Sequence, residues 1–367
     1  MPTERIGHRQ LFLTLFIIRT FIVISFLPVL TIGGALQDAW ISTLLAAVFN
    51  LPFTWLIVSL GQRFPRETVF EYAPRLLGPW LGRAVALPFL WLFLWVAAIE
   101  LRLYSEVIIT AFLVETPLIV VVLSMVIVAA AAAICGVEVI GRLVDMLFPL
   151  FVLAIVLALL LALPDADFAN LMPVLSRGWV PVLKGTVIPL AMTAQFVVLL
   201  VLLPSLARPE RFTPWALGAI LLSYLALFLT VVVVIATLSA EDGARSFFPF
   251  FRMVRSVSIG DFLQRVDALT ILPWGLGVFI ALSVYLLCGA RGVALLFKLN
   301  DYRPLIPPMA VIWAVLAVHN FDDIFEFRTV LQPRYTGPAI IGLTLVPLML
   351  LWGGWLIQQR RSRGEKK

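Results

Sequence analysis

The chain has 367 residues, of which 62% are hydrophobic and 13% charged, with a formal net charge of +6 and a mean hydropathy of +1.05. A soluble domain runs nearer half apolar, so the composition excludes a soluble globule and specifies a polytopic protein of the lipid bilayer. No basic run carries the interleaved aromatics of a nucleic-acid surface, so no nucleic-acid partner is expected and the charge reads as topological.

The elements follow in chain order. The first apolar span, residues 11–32, is long enough to cross a bilayer. It holds Arg19 and is interrupted at Pro28. If the helix enters near Gln10, Arg19 lies roughly 13 Å deep at about 1.5 Å per residue. A charge at that depth belongs against protein or water rather than lipid, as a structural ion pair or as part of a central site. Further spans are expected at 40–60, 84–113, 117–135, 143–163, 186–206, 215–238, 266–290, 304–318 and 338–357. These make ten, in a single transmembrane domain over 1–367 with a basic tail at 358–367. The Met-Pro-Thr-Glu start lacks a cleavable signal pattern, so the first span is expected to be retained.

Sidedness comes from the basic residues. With the N terminus inside, seventeen arginines and lysines fall on the inner side and eight on the outer. Both termini are therefore expected in the cytoplasm. Ten spans divide into two halves of five with opposite topology, about 11–163 and 186–357. Spans one and six carry related interruptions, at Pro28 and Pro204. Broken helices at equivalent places in inverted repeats point to a midplane site in transporters.

Span three carries Glu100, Arg102, Tyr104, Ser105 and Glu106. Arg102 and Glu106 are four apart, share a helix face and read as a self-paired structural unit. Glu100 lies on another face and is the better candidate for a site-lining group. Spans six and eight add Thr186, Thr193, Gln195, Thr270, Trp274, Ser283 and Tyr285. His8, His319, Cys135 and Cys288 share no ligand spacing. No metal, cofactor, catalytic residue or enzymatic activity is expected.

Ordered short motifs along the chain carry a resemblance. Gln37-Asp38-Ala39-Trp40 opens span two, and Arg63-Phe64-Pro65 and Glu71-Tyr72 precede Leu77-Gly78-Pro79-Trp80-Leu81-Gly82. Glu115-Thr116-Pro117, Gly136-Val137-Glu138 and Asn170-Leu171-Met172-Pro173 come next. Then follow Phe247-Phe248-Pro249, Ser258-Ile259-Gly260-Asp261 and Asp301-Tyr302-Arg303-Pro304. In that order the chain resembles the B-subunit family of endospore germination receptors, the spore germination permeases, within the amino acid–polyamine–organocation transporter superfamily.

The resemblance implies an all-α, LeuT-like fold of five plus five helices with helices one and six interrupted. It also implies a membrane subunit of a nutrient-germinant receptor in the spore inner membrane or the cell membrane. Its partners would be A and C subunits and its ligand a small nutrient such as an amino acid. An ion-coupled amino-acid permease and a ligand-free structural subunit are the alternatives. By the same resemblance spans one, three, six and eight would surround the site, bounded here by Arg19, Ser25, Glu100, Thr193, Gln195 and Trp274; as the one basic residue near the midplane of span one, Arg19 is expected to take Glu100 as its counter-ion. Relatives are glycine-rich at the break of helix one. Here 11–32 and 186–206 contain no glycine, and Phe21 and Val23 take the expected small positions. The loop 239–264, with Phe247, Phe248, Phe250 and Phe251, is expected to form a short interfacial helix over the site.

Overall fold

The computed structural model describes residues 4–256, 267–321, 326 and 334–364, the side chains of 23–25, 267–269 and 361–364 excepted. The chain is almost entirely helical. The transmembrane elements are α1 (His8–Ser25) with α2 (Leu27–Ala35), α3 (Ala39–Gln62), α5 (Pro79–Ala111), α6 (Leu118–Cys135) and α7 (Val137–Ala162) in the first half. The second half has α8 (Trp179–Ala191) with α9 (Leu199–Leu202), α10 (Thr213–Leu238), α13 (Asp267–Leu296), α14 (Ile306–His319) and α15 (Thr336–Gly364). Short helices connect them: α4 (Val69–Leu77), α11 (Ala240–Arg245) and α12 (Pro249–Ser256).

Eight helical stretches among the described residues are long and apolar enough to cross a membrane, α2 and α3 counting as one of them. The shorter α14 and the α1–α2 pair complete ten spans. Burial shows which are central. In the stretch from Trp179 to Ser205, 83% of the apolar window is buried, against 28% for α15. Helix six therefore lies in the interior, beside helix one, and α15 faces outward.

Helix one breaks at Phe26, two residues before Pro28. Pro28 is then the second residue of α2, where its missing N–H is not needed. Helix six breaks elsewhere than expected. Its α-helical geometry ends at Ala191 and gives way to a 3-10 stretch over Met192–Val198. Pro204 lies beyond this, in a closing 3-10 turn, Leu203–Ser205. The proline before the mid-membrane break is Pro189, inside α8.

Two expected loops are helix. The loop assigned to 136–142 is mostly the start of α7, where Glu138 accepts the Arg5 N–H at 2.8 Å. The loop assigned to 164–185 ends at Gly178, and α8 already begins at Trp179. The reason is packing. A Cβ on Gly34 would lie 2.7 Å from the Gly185 Cα, and one on Gly185 would lie 2.7 Å from the Ser42 Oγ. The half-helices α2 and α8 thus cross backbone against backbone, as small residues allow in membranes. The basic tail expected from 358 continues as helix to Gly364.

Beyond α10, α12 turns Phe250, Phe251, Met253 and Val254 inward and leaves Arg252, Arg255 and Ser256 exposed. It packs against α1, α7, α10 and α13. It is a short amphipathic helix laid across the bundle, and the remainder of that loop, 257–266, lies outside the described residues.

Candidate functional site

The two breaks make the site. A 3-10 stretch bonds each N–H three residues back rather than four, so carbonyls at the end of α8 lose their helical partners. Pro189 shows the result. Its carbonyl accepts from the Tyr224 hydroxyl at 2.6 Å, from Arg19 Nη2 at 3.1 Å and, at 3.4 Å, from Asn50 Nδ2. Asn50 also donates to the Tyr224 hydroxyl, and the Arg19 guanidinium stands 5.0 Å from the Tyr224 ring centroid. One carbonyl at the end of α8 thereby gathers side chains from α1, α3 and α10. Arg19 is 1% exposed, and its Nε and Nη1 find no acceptor among the described residues.

Glu100, from α5, is also 1% exposed. Its Oε1 accepts from Gln195 Nε2 at 3.0 Å, and Gln195 comes from the 3-10 stretch of helix six. Glu100 Oε2, Gln195 Oε1 and the Tyr285 hydroxyl close no hydrogen bond of ordinary length among the described residues, although the Tyr285 hydroxyl stands near both Glu100 and Gln195. Tyr285, on α13, lies within electrostatic reach of both Glu100 and Arg19.

Beside Glu100 a cavity opens, with about 490 Å³ of empty space including its mouth. Ile22, Phe26 and Leu27 at the break of helix one, and Ile188 and Met192 at the break of helix six, form its walls. Glu100 is its one charged lining residue, Thr336 of α15 also borders it, and the rest is aliphatic or aromatic. The backbone at the break of helix one offers less than in a glycine-rich relative, because the Phe26 N–H already bonds the Ile22 carbonyl at 3.1 Å.

The expected site residues therefore separate. Glu100 and Gln195 meet beside the cavity. Arg19 reaches the break of helix six but not Glu100: no ion pair joins the two among the described residues. Thr193 donates to Leu190 of its own helix at 2.7 Å. Trp274 lies apart from the cavity, donating to the Phe21 carbonyl at 3.2 Å and packing between Tyr104 and Phe251. The side chain of Ser25 lies outside the described residues. Phe21 fits because the small residue is on the facing helix: a Cβ on Gly277 of α13 would lie 2.8 Å from the Phe21 Cβ.

Asn50, Tyr224 and Pro189 were not anticipated. Each is a polar or helix-breaking residue in a mostly apolar span, and only the tertiary fold brings them together. A second polar cluster, also unanticipated, closes the end of the bundle that holds the N-terminal segment. Glu4 pairs with Arg291 at 2.6 Å and Arg303 at 3.4 Å, and accepts from the Tyr302 hydroxyl and the Val137 N–H. Ile6 bonds the Ser205 carbonyl at 3.0 Å. Burial pushes the Tyr302 phenol above its ordinary value.

The family model for the spore germination protein family matches residues 5–323. Spore germination protein KB of Bacillus subtilis (strain 168) is 30% identical, over 100% of this chain and 99% of its own length. Spore germination protein YndE of the same organism is 26% identical over 90% of this chain and 89% of its own length. Two solved transporters share the architecture. MhsT in complex with L-phenylalanine superposes with a TM-score of 0.68 at 12% identity, over 94% of this chain and 98% of that one. Mhp1, a nucleobase-cation-symport-1 family transporter in a closed conformation with bromovinylhydantoin bound, gives 0.70 at 13%, over 94% and 78%. The fold is thus the LeuT-like arrangement of ten helices in an inverted repeat with helices one and six interrupted.

Proposed function

The chain belongs to the spore germination protein family, and we propose that within it the chain is the nutrient-sensing membrane subunit of a germinant receptor. The observation that carries this is the cavity at the two helix breaks, beside the Glu100–Gln195 pair with its unpartnered carboxyl oxygen. A buried acceptor without a donor is costly in a purely structural element, and a ligand is one way to supply that donor. The lining favours a small nutrient with an apolar part. Glu100 stands behind this apolar lining, Gln195 orients Glu100, and Arg19 holds the break of helix six in place. The subunit acts with A and C subunits in the spore inner membrane, both termini facing the cytoplasm.

Spores lacking this chain should lose germination with at least one nutrient and keep germination through others, read as the fall in optical density. An unchanged response to every nutrient the parent spore answers would overturn the reading. The permease alternative makes a separate demand, since both structural neighbours are transporters by name or complex: radiolabelled amino acid should accumulate in proteoliposomes containing the chain alone.

A further inference from the structure

Broken helices present the carbonyl ends of their half-helices toward the bundle centre, and in transporters of this architecture such carbonyls coordinate sodium or accept from a protonated group. Here the carbonyl end of the first half of helix six is taken by a side chain. Pro189 O accepts from Arg19 Nη2 at 3.1 Å and from the Tyr224 hydroxyl at 2.6 Å, which uses the two lone pairs of a carbonyl oxygen. Arg19 is 1% exposed, lies in an apolar helix, and has no carboxylate within ion-pair distance among the described residues. Its charge is balanced by the carbonyl dipole and the Tyr224 ring.

Asn50 turns its Nδ2 to Pro189 O and the Tyr224 hydroxyl, while its Oδ1, and Thr54 Oγ1 one turn along the same face of α3, are buried without a partner among the described residues. Carbonyl, amide, phenol and hydroxyl oxygens make up the hard, neutral set that suits an alkali cation. A structural role for Arg19 alone would not explain why Asn50 Oδ1 and Thr54 Oγ1 are left without donors beside it.

We propose that Arg19 is a built-in cation. Its guanidinium stands at the break of helix six where a diffusible sodium ion would otherwise be held, so the chain keeps its central helices together without sodium. The inference stands independently of the nutrient that the adjoining cavity takes. It makes any ion coupling through this break sodium-independent.

Sodium itself is the probe. The purified full-length chain is unfolded thermally in detergent, in sodium chloride and in N-methyl-D-glucamine chloride of equal ionic strength. Wild type should melt within 1 °C in the two salts. Arg19→Ala, which opens space among the oxygens, should melt lower in N-methyl-D-glucamine and recover at least 4 °C in sodium, with half-recovery at a saturable concentration. Arg19→Lys, which keeps a charge there, should stay indifferent to sodium. Arg19→Gln is the milder variant if Arg19→Ala yields no folded protein in either salt, and it should show the same sodium response. A sodium-stabilised wild type would overturn the proposal, as would an absence of sodium response in the neutral variants. Either result leaves the germination experiment above untouched.

Discussion

The cluster around Glu4 and the cluster around Arg19 and Glu100 are both buried and polar, yet they are completed to different degrees. At Glu4, both carboxylate oxygens have partners, drawn from Val137, Arg291, Tyr302 and Arg303. At the centre, among the described residues, Arg19 uses one of its three nitrogens, and Glu100, Gln195 and Asn50 each leave an oxygen without a donor. The first arrangement fastens parts of the chain distant in sequence into one closed end. The second holds polar groups ready around a cavity. Completed polar networks belong to architecture, and incomplete ones mark where a ligand, an ion or water takes part.

Substitutions sharpen that contrast, and the largest effect should come from the finished cluster. Glu4→Ala leaves Arg291 unpaired while only about a tenth exposed, so it should cost about 3–5 kcal/mol, as broken buried pairs do, seen as a fall in melting temperature in detergent. Arg102→Ala comes next. Arg102 pairs with Glu106 at 2.7 Å and donates to the carbonyls of Ala317, Val318 and Phe321 at the end of α14. Its loss should cost about 3 kcal/mol and speed proteolysis beyond His319.

Tyr224→Phe removes one donor from Pro189 and should cost about 1–2 kcal/mol. Glu100→Gln should change stability by under about 1 kcal/mol, because it removes a carboxylate that lacks one of its partners, while abolishing the nutrient response of spores. A large loss of stability there would make Glu100 architectural and erase the contrast. Smallest of all is the coupling between Arg19 and Glu100. Since no ion pair joins them, a double-mutant cycle should close to within about 0.5 kcal/mol, and a larger coupling would show that the pair forms in another conformation.

The sequence was most readable where one local rule decides the outcome. The self-pairing of Arg102 with Glu106 follows from a spacing of four on a helix, and the break near Pro28 from a missing N–H. The amphipathic α12 follows from aromatics divided by Pro249 and followed by arginines. Helix six was harder, because two prolines stand fifteen residues apart in it, Pro189 and Pro204. The one that matches Pro28 by spacing lies in the closing turn, while the other precedes the break. Pairing of Arg19 with Glu100 was inferred from opposite charge at similar depth. Opposite charge does not specify which partner a guanidinium takes when a freed carbonyl is nearer. Asn50 and Tyr224 had no local signal at all, since each gains its role only from helices that sequence spacing cannot place.

The crossing of α2 and α8 at Gly34 and Gly185 has a mechanical meaning. Two backbones in contact have no interlocked side chains there, hence no rotamers to reset when one turns against the other. At that point α2 and α8 can pivot as a bearing does, with a fixed separation and a free angle. Any occupant of the adjoining cavity pushes on both half-helices at once, through Leu27 and Leu30 on one and Ile188 on the other. A change of angle at this bearing would carry the news of binding outward through the rigid helices it joins.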